Sequence, residues 1–475
     1  MKNPQFIELY LTLNKRQKQA FIKYLSSTYF NSNIKLVNAI EKIDSLKDKE
    51  IQHLKPELFG FLYPNENFTD VKLRLLFSEL LKQLKNFIYT EEQQGLTMEK
   101  ELSFIRFLRK SKLINLFENQ ASGLKEQFQG KKNWNPDIYD YHSRLDMELL
   151  TYKSFKNRFS NFDFKESSET LEVSAMIKRL RIYLEQLSHE AISDTSNEYP
   201  MLLSWVKYAE DLNWDRFPEL KIYLLALKMF QLPSEDHFFE EYLKMIRQFD
   251  SDFDFERGRQ IYLTALNYCI RKINQNHTSY FQKTLELYQH CVKHGWLLDY
   301  GVMSSLTYKN IIALCIRMND LDLAIRLLEE YKSLVKSDDR NTIYQFNLAK
   351  IYKEQREYAK ALYLLNTSVF KDPLIELNAR VEMIKIYYEI HEQDLMHNQI
   401  QATKNLIKRS KKLGYHREYY SNFLQTANRL FSTRQLNKAE KENWLISIKS
   451  DNRLMEKNWL YTMVDKIKVS ATLVS

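Results

Sequence analysis

The chain has 475 residues and a formal net charge of +9, with 28% charged and 44% hydrophobic residues. It contains only eight glycines and eight prolines, which argues against sheets with tight turns and against glycine-rich loops that cradle phosphates. The abundance of Leu, Lys, Glu and aromatic residues predicts long helices with short polar connections, and hence an all-α protein.

The three cysteines, Cys269, Cys291 and Cys315, are too few and too widely spaced for a disulfide framework or a cysteine-rich zinc site. The N-terminal segment lacks the apolar core of a signal peptide, and no uncharged run approaches the length that spans a bilayer. We therefore predict a cytoplasmic protein that has no membrane partner.

The first third of the chain has the pattern of amphipathic helices with irregular spacing. Its clearest apolar stripe covers residues 71–89, where large apolar side chains recur at steps of three and four. Asn135 followed by Pro136 signals another helix start, because proline at the first helical position loses no hydrogen bond. The polar stretch 161–170 is the best candidate boundary, so we predict an N-terminal helical domain over residues 1–165 and a helical-repeat domain over 166–475.

The segment Thr342–Ile375 has the strongest repeat pattern in the chain. Small residues at Ala349 and Ala361 predict two helices that approach closely, and Pro373 closes the unit. Leu348 and Tyr352 lie on the first helix, and Tyr352 and Leu365 fill the space beside the small residues.

Two neighbouring segments repeat this order. Residues 305–335 place Ala324 at the small position of their second helix. A third unit begins at Glu376 but has Leu395 where the small residue should stand, so it is degenerate.

Over residues 305–413 these units resemble the tetratricopeptide-repeat superfamily. The resemblance implies a right-handed α-solenoid of helical hairpins, whose concave wall is formed by the first helix of each hairpin. It also implies a non-enzymatic scaffold or adaptor that holds a protein or peptide partner on that wall. The layout of the whole chain resembles uncharacterised bacterial helical-repeat proteins, which implies no activity.

The resemblance assigns seven partner-binding positions to the concave groove. Several are basic, as in family members that hold an acidic peptide or a C-terminal carboxylate, although solvated helix faces would give the same pattern. The positions are Lys309, Asn310, Arg317, Phe346, Lys350, Lys353 and Arg380.

Residues that could carry catalysis or bind a metal are sparse. His290 and His294 have a four-residue spacing that can bind a metal on one helix face, but no acidic residue beside them completes a metalloprotease motif. No glycine-framed serine or activated cysteine is evident. We therefore predict no catalytic residue, no metal site and no cofactor.

The basic charge is concentrated at the C-terminal end. Residues 401–475 contain 15 Lys and Arg but 6 Asp and Glu, an excess equal to the net charge of the whole chain. Such a basic stretch with interleaved tyrosines predicts, as an alternative function, contact with nucleic acid. The basic residues at helical spacing are Lys404, Lys408, Lys411 and Lys412.

Overall fold

The structure is a computed structural model. It describes residues 5–45, 51–95, 97–130, 136–156, 164–190, 200–211, 217–275, 277–410, 413–414, 416–451 and 453–469.

Across these residues the chain forms 23 α-helices, one short 3-10 helix and four strands of two residues each, which confirms the predicted all-α class. By packing, the chain divides into two compact units, Met1–Arg179 and Leu180–Ser475. The domain boundary expected between residues 165 and 166 stays a prediction. Among the described helices, none is both long and apolar enough to cross a bilayer.

The first unit contains two groups of helices, each with its own apolar core. In the first group, α5 packs against α1 to α4, and Phe21 and Leu80 lie fully buried between them. In the second group, α6, α7 and α8 pack pairwise around Phe117 and Leu145. The helices that begin in this unit are α1 Gln5–Thr12, α2 Lys15–Ser26, α3 Ile34–Ser45, α4 Ile51–Leu62, α5 Asp70–Gly95, α6 Thr97–Lys110, α7 Ile114–Gly130, α8 Pro136–Lys156 and α9 Phe164–Glu190.

The second unit is a series of helical hairpins with a few short connecting elements. Its helices are α10 Pro200–Glu210, α11 Pro218–Gln231, α12 Asp236–Gln248, α13 Phe255–Asn274, α14 Tyr280–Lys293, α15 Ser305–Arg317, α16 Leu321–Lys332, α17 Ser337–Glu354, α18 Tyr358–Thr367, α19 Pro373–Glu389, α20 Gln393–Arg409, α21 His416–Ser432, α22 Lys438–Ser450 and α23 Lys457–Asp465. The 3-10 helix is Asp250–Asp252, and the strands are β1 Leu298–Asp299, β2 Val302–Met303, β3 Gln435–Leu436 and β4 Lys468–Val469. Strands β1 and β2 pair antiparallel, whereas β3 and β4 pair parallel.

Packing in the second unit confirms the predicted solenoid of helical hairpins. Five consecutive hairpins form from α11 and α12 through to α19 and α20. First helices of neighbouring hairpins also pack on each other, as α11 does on α13 and α17 does on both α15 and α19. The small residues Ala324, Ala349 and Ala361 are buried at the helix contacts, where the repeat pattern places them.

The hairpin turns repeat more faithfully than the sequence does. Asn319, Arg356 and His391 each adopt a left-handed backbone conformation, with φ of 58°, 62° and 62°. After each of them, the next amide donates a hydrogen bond to the carbonyl five residues earlier, at 3.0, 2.8 and 2.9 Å. This 6→1 bond defines the Schellman motif, which satisfies orphan carbonyls at a helix end. The third turn shows that the unit with Leu395 forms the same hairpin despite its larger residue.

Candidate functional site

The candidate partner-binding face is formed by α15, α17 and α19, the first helices of three neighbouring hairpins. All seven predicted groove residues lie on these helices. Four of them are half-buried and one is exposed, whereas two are buried against neighbouring helices. The half-buried residues are Lys309, Asn310, Lys350 and Arg380. The exposed residue is Arg317, and the buried ones are Phe346 and Lys353.

A charge cluster lies on this face; it consists of Lys350, Lys353, Glu382, Lys385 and Glu456. Glu382 is almost fully buried on α19 and accepts a hydrogen bond from Lys385 at 3.1 Å. Its carboxylate also lies 3.9 Å from Lys350 Nζ and 3.7 Å from Lys353 Nζ. Lys385 donates a second hydrogen bond of 2.9 Å to Glu456. The cluster therefore joins α17, α19 and the residue that precedes α23.

The pKa values show that the cluster stabilises its own charges. Burial by itself would raise the pKa of Glu382, but Lys385, Lys353 and Lys350 outweigh burial and lower that pKa to about 2. Burial would likewise lower the pKa of Lys385, whereas Glu382 and Glu456 raise it well above its ordinary value. Lys385 and Glu382 are therefore both ionised at neutral pH and serve as counter-charges for each other.

The pKa values of Lys309 and Lys350 are lowered, whereas that of Lys385 is raised. Burial lowers the pKa of Lys309, and the charge of Lys350 lowers it further. Burial also lowers the pKa of Lys350, and the attraction of Glu382 does not restore it. A lowered pKa means that the folded protein disfavours the charged ammonium. Nearby carboxylates therefore compensate the positive charge of these two lysines only in part.

Glu389 on α19 accepts two further hydrogen bonds, one from the C-terminal helix α23 and one from α18. Trp459 donates an indole hydrogen bond of 2.8 Å to Glu389. The other oxygen of Glu389 accepts a 2.9 Å hydrogen bond from Tyr358, at the start of α18. Glu389 therefore connects the hairpin of α17 and α18 to the C-terminal helix.

Comparisons with known proteins assign no family. No protein-family model matches the chain, and no curated protein matches it. Among solved structures, the chain is similar to one described as "Crystal structure of APC/C hetero-tetramer Cut9-Hcn1", at 11% sequence identity and a TM-score of 0.26, over 94% of this chain and 86% of that chain. Because a likeness at this TM-score is too weak to carry weight, the fold assignment rests on the hairpin packing. The resemblance to bacterial proteins and the cytoplasmic location stay predictions.

The sequence pattern found three of the lysines on this face but missed their acidic counterparts. Glu382, Lys385 and Glu389 recur at steps of three and four on α19, so they share one face of the helix. That spacing is a signal that could have identified the cluster. Glu456 could not have been found in this way, because only folding brings it to α19.

The basic C-terminal residues have mixed surroundings. On α20, Lys404 is half-buried and Lys408 is exposed. Lys411 and Lys412 lie outside the described residues. Arg417 donates hydrogen bonds of 2.8 and 2.7 Å to carbonyls at the end of α20, so its charge stabilises that helix end. The nucleic-acid contact stays a prediction.

Proposed function

We propose that this protein is a non-enzymatic scaffold that binds an acidic segment of a protein or peptide across α15, α17 and α19. The observation that carries the proposal is the pair Lys309 and Lys350, whose lowered pKa values reflect burial and repulsion from neighbouring lysines: Lys350 acts on Lys309, and Lys385 and Lys353 act on Lys350. A carboxylate from a partner would add to the partial compensation that Glu382 gives Lys350. Binding would therefore be favoured by charge complementarity at a partly desolvated position.

The charge cluster distinguishes the lysines that would recognise the partner from the lysine that stabilises the fold. Lys353 is buried and lies within 4.0 Å of carboxylates of Glu354, Glu382 and Glu389, so its charge is already matched inside the chain. We therefore assign recognition to Lys309 and Lys350, and assign a structural role to Lys353. Asn310 and Arg317, on the same helix as Lys309, extend the face along α15.

The cysteine thiols fit a protein that does not use nucleophilic catalysis. Burial raises the pKa of Cys269 and of Cys291 to about 12, and that of Cys315 to about 11. These thiols are therefore protonated at neutral pH, whereas the thiolate is the reactive form.

The test is affinity purification from lysate of the native source, followed by mass spectrometry, with and without nuclease. We would compare the wild type with the double variant Lys309→Gln, Lys350→Gln, and use Lys408→Gln as the matched control because Lys408 is an exposed lysine of the same unit. The double variant is expected to lose at least tenfold of the captured partner, whereas the control variant retains it.

Two outcomes would contradict the proposal. Equal capture of the same proteins by the wild type and the double variant would remove Lys309 and Lys350 from the site. Capture that disappears after nuclease treatment and depends on Lys408 would favour the nucleic-acid alternative. Melting curves of all variants would show whether a loss of capture arises from unfolding.

A further inference from the structure

A cluster of side chains that can ligate a metal ion lies elsewhere in the second unit, where the end of α14 meets the connection between α12 and α13. His290 lies in the last turn of α14, and His294 caps that helix. Asp250 begins the 3-10 helix that follows α12. One ligand atom from each of the three residues can be chosen so that all lie within 4.8 Å of one another. The fold therefore brings a carboxylate from a distant part of the sequence to the histidine pair.

The distances within the cluster suit a small divalent ion. Oδ2 of Asp250 lies 3.0 Å from Nε2 of His290 and 3.6 Å from Nε2 of His294. Zinc bonds of about 2.0–2.2 Å in a tetrahedral site place neighbouring ligand atoms about 3.3–3.6 Å apart. Two of the three separations are thus close to those a bound ion requires. The third joins the two imidazoles, and His294 can shorten it because it is the most exposed of the three.

The surroundings hold these side chains as a supporting shell would. The Tyr262 hydroxyl donates a 2.8 Å hydrogen bond to Oδ1 of Asp250. Oδ1 also lies 3.1 Å from Nε2 of His290, while Oδ2 faces both histidines. Trp296 stacks on His294 with ring centroids 4.6 Å apart, and Tyr262 stacks on His290 at 5.0 Å. Ligating carboxylates in metal centres are themselves hydrogen-bonded, and such outer contacts raise metal affinity.

The indole wall depends on a glycine. Gly258 on α13 faces Trp296 so closely that a Cβ at this position would overlap the indole ring. Trp296 also stacks on Tyr262, with ring centroids 4.7 Å apart. The tryptophan is therefore fixed between Gly258, Tyr262 and His294.

We propose that Asp250, His290 and His294 form a binding site for a divalent transition-metal ion, and specifically for Zn²⁺. Two imidazoles and one carboxylate are the donor set that zinc accepts, whereas Mg²⁺ and Ca²⁺ prefer oxygen ligands alone. Three protein ligands leave the fourth position to water. The bound ion links the connection between α12 and α13 to the end of α14. This site is independent of the acidic-partner face on α15, α17 and α19.

Isothermal titration calorimetry of the full, tag-free chain with ZnCl₂ measures how many Zn²⁺ ions bind per chain. The wild type is expected to bind one equivalent. Asp250→Asn and His294→Gln should each weaken binding at least tenfold, and Tyr262→Phe about tenfold because it removes a supporting hydrogen bond. His397→Gln, an exposed histidine on α20, is the matched control and should bind as the wild type does.

Quenching of tryptophan fluorescence by CuCl₂ supplies a second measurement, because Trp296 stacks on a proposed ligand. Quenching that saturates at one equivalent in the wild type and is lost in Trp296→Phe would place the ion at this site. The proposal is overturned if the wild type shows no Zn²⁺ binding with a dissociation constant of about 100 µM or tighter. It is equally overturned if Asp250→Asn and His294→Gln bind with wild-type affinity while far-UV circular dichroism shows them folded.

Discussion

Nζ of Lys385 lies 2.9 Å from Oε2 of Glu456, a residue 71 positions later in the chain. This hydrogen bond connects α19, the first helix of the third predicted repeat, to the residue that introduces the C-terminal helix α23. Glu456 adopts a left-handed backbone conformation with φ of 55°, which is uncommon for a residue with a side chain. The C-terminal helices are thus attached to the repeats by specific charged contacts as well as by apolar packing.

We expect Glu382→Gln to lower the free energy of unfolding by roughly 3–5 kcal/mol at pH 7, because it leaves buried lysine charges without their counter-charge. Urea denaturation followed by circular dichroism measures this change. Glu330→Gln, which alters an exposed glutamate on α16, should change stability by no more than about 0.5 kcal/mol. Equal stability of the two variants would contradict a structural role for the charge cluster.

The same carboxylate predicts a pH dependence. Its pKa is about 2 in the folded protein, below the ordinary value of 4.5. The stabilisation is therefore complete above pH 4.5 and is lost as the pH falls from 4.5 towards 2. The stability difference between the wild type and Glu382→Gln should shrink across this range. A difference that is constant from pH 7 to pH 3 would show that the charge of Glu382 does not stabilise the fold.

Lysine-to-methionine variants should separate the proposed recognition residues from the structural one. Lys309→Met and Lys350→Met remove ammonium groups that the folded state disfavours, so stability should be unchanged or rise by up to about 2 kcal/mol. Lys353→Met removes a buried, ion-paired ammonium and should lower stability by roughly 3 kcal/mol. Thermal melts at pH 7 measure all three. The opposite order would reverse the roles assigned to these lysines.

Two glycine-to-alanine substitutions on helices should have opposite effects. At Gly258 the added methyl group would overlap Trp296, so we expect a loss of roughly 1–3 kcal/mol. At Gly123, in α7, a Cβ would meet nothing within 4 Å, so alanine should stabilise the helix by up to about 1 kcal/mol. Chemical denaturation of both variants gives the comparison. Similar effects at the two positions would show that Trp296 can move aside without loss of stability.

The repeated turns offer a further test, because Arg356 has a left-handed conformation that glycine adopts without strain. Arg356→Gly should raise the free energy of unfolding by about 0.5–1 kcal/mol. Arg356→Ala is the matched control, since it removes the same side chain but keeps Cβ, and it should give no gain. The difference in denaturation midpoint between these two variants isolates the backbone effect, and its absence would argue against the Schellman turn.

The helical fold of this protein is largely determined locally. The positions of Ala324, Ala349 and Ala361 predicted two hairpins, because small residues are needed wherever two helices approach closely. The hairpin that turns at His391 forms even though Leu395 departs from the small-residue pattern of the repeat. Hairpin formation depends on periodic apolar faces and turn geometry, both of which are properties of short segments.

Only the tertiary structure decided which charged residues meet. Lys350 and Lys353 are three residues apart and alike in sequence, yet the charge of Lys350 is only partly compensated, whereas that of Lys353 is matched by three neighbouring carboxylates. Asp250 reaches His290 across 40 positions, and Glu456 reaches Lys385 across 71. Such pairings depend on how hairpins stack, because charge interactions are set by distance in space and by burial, and neither can be read from spacing along the chain.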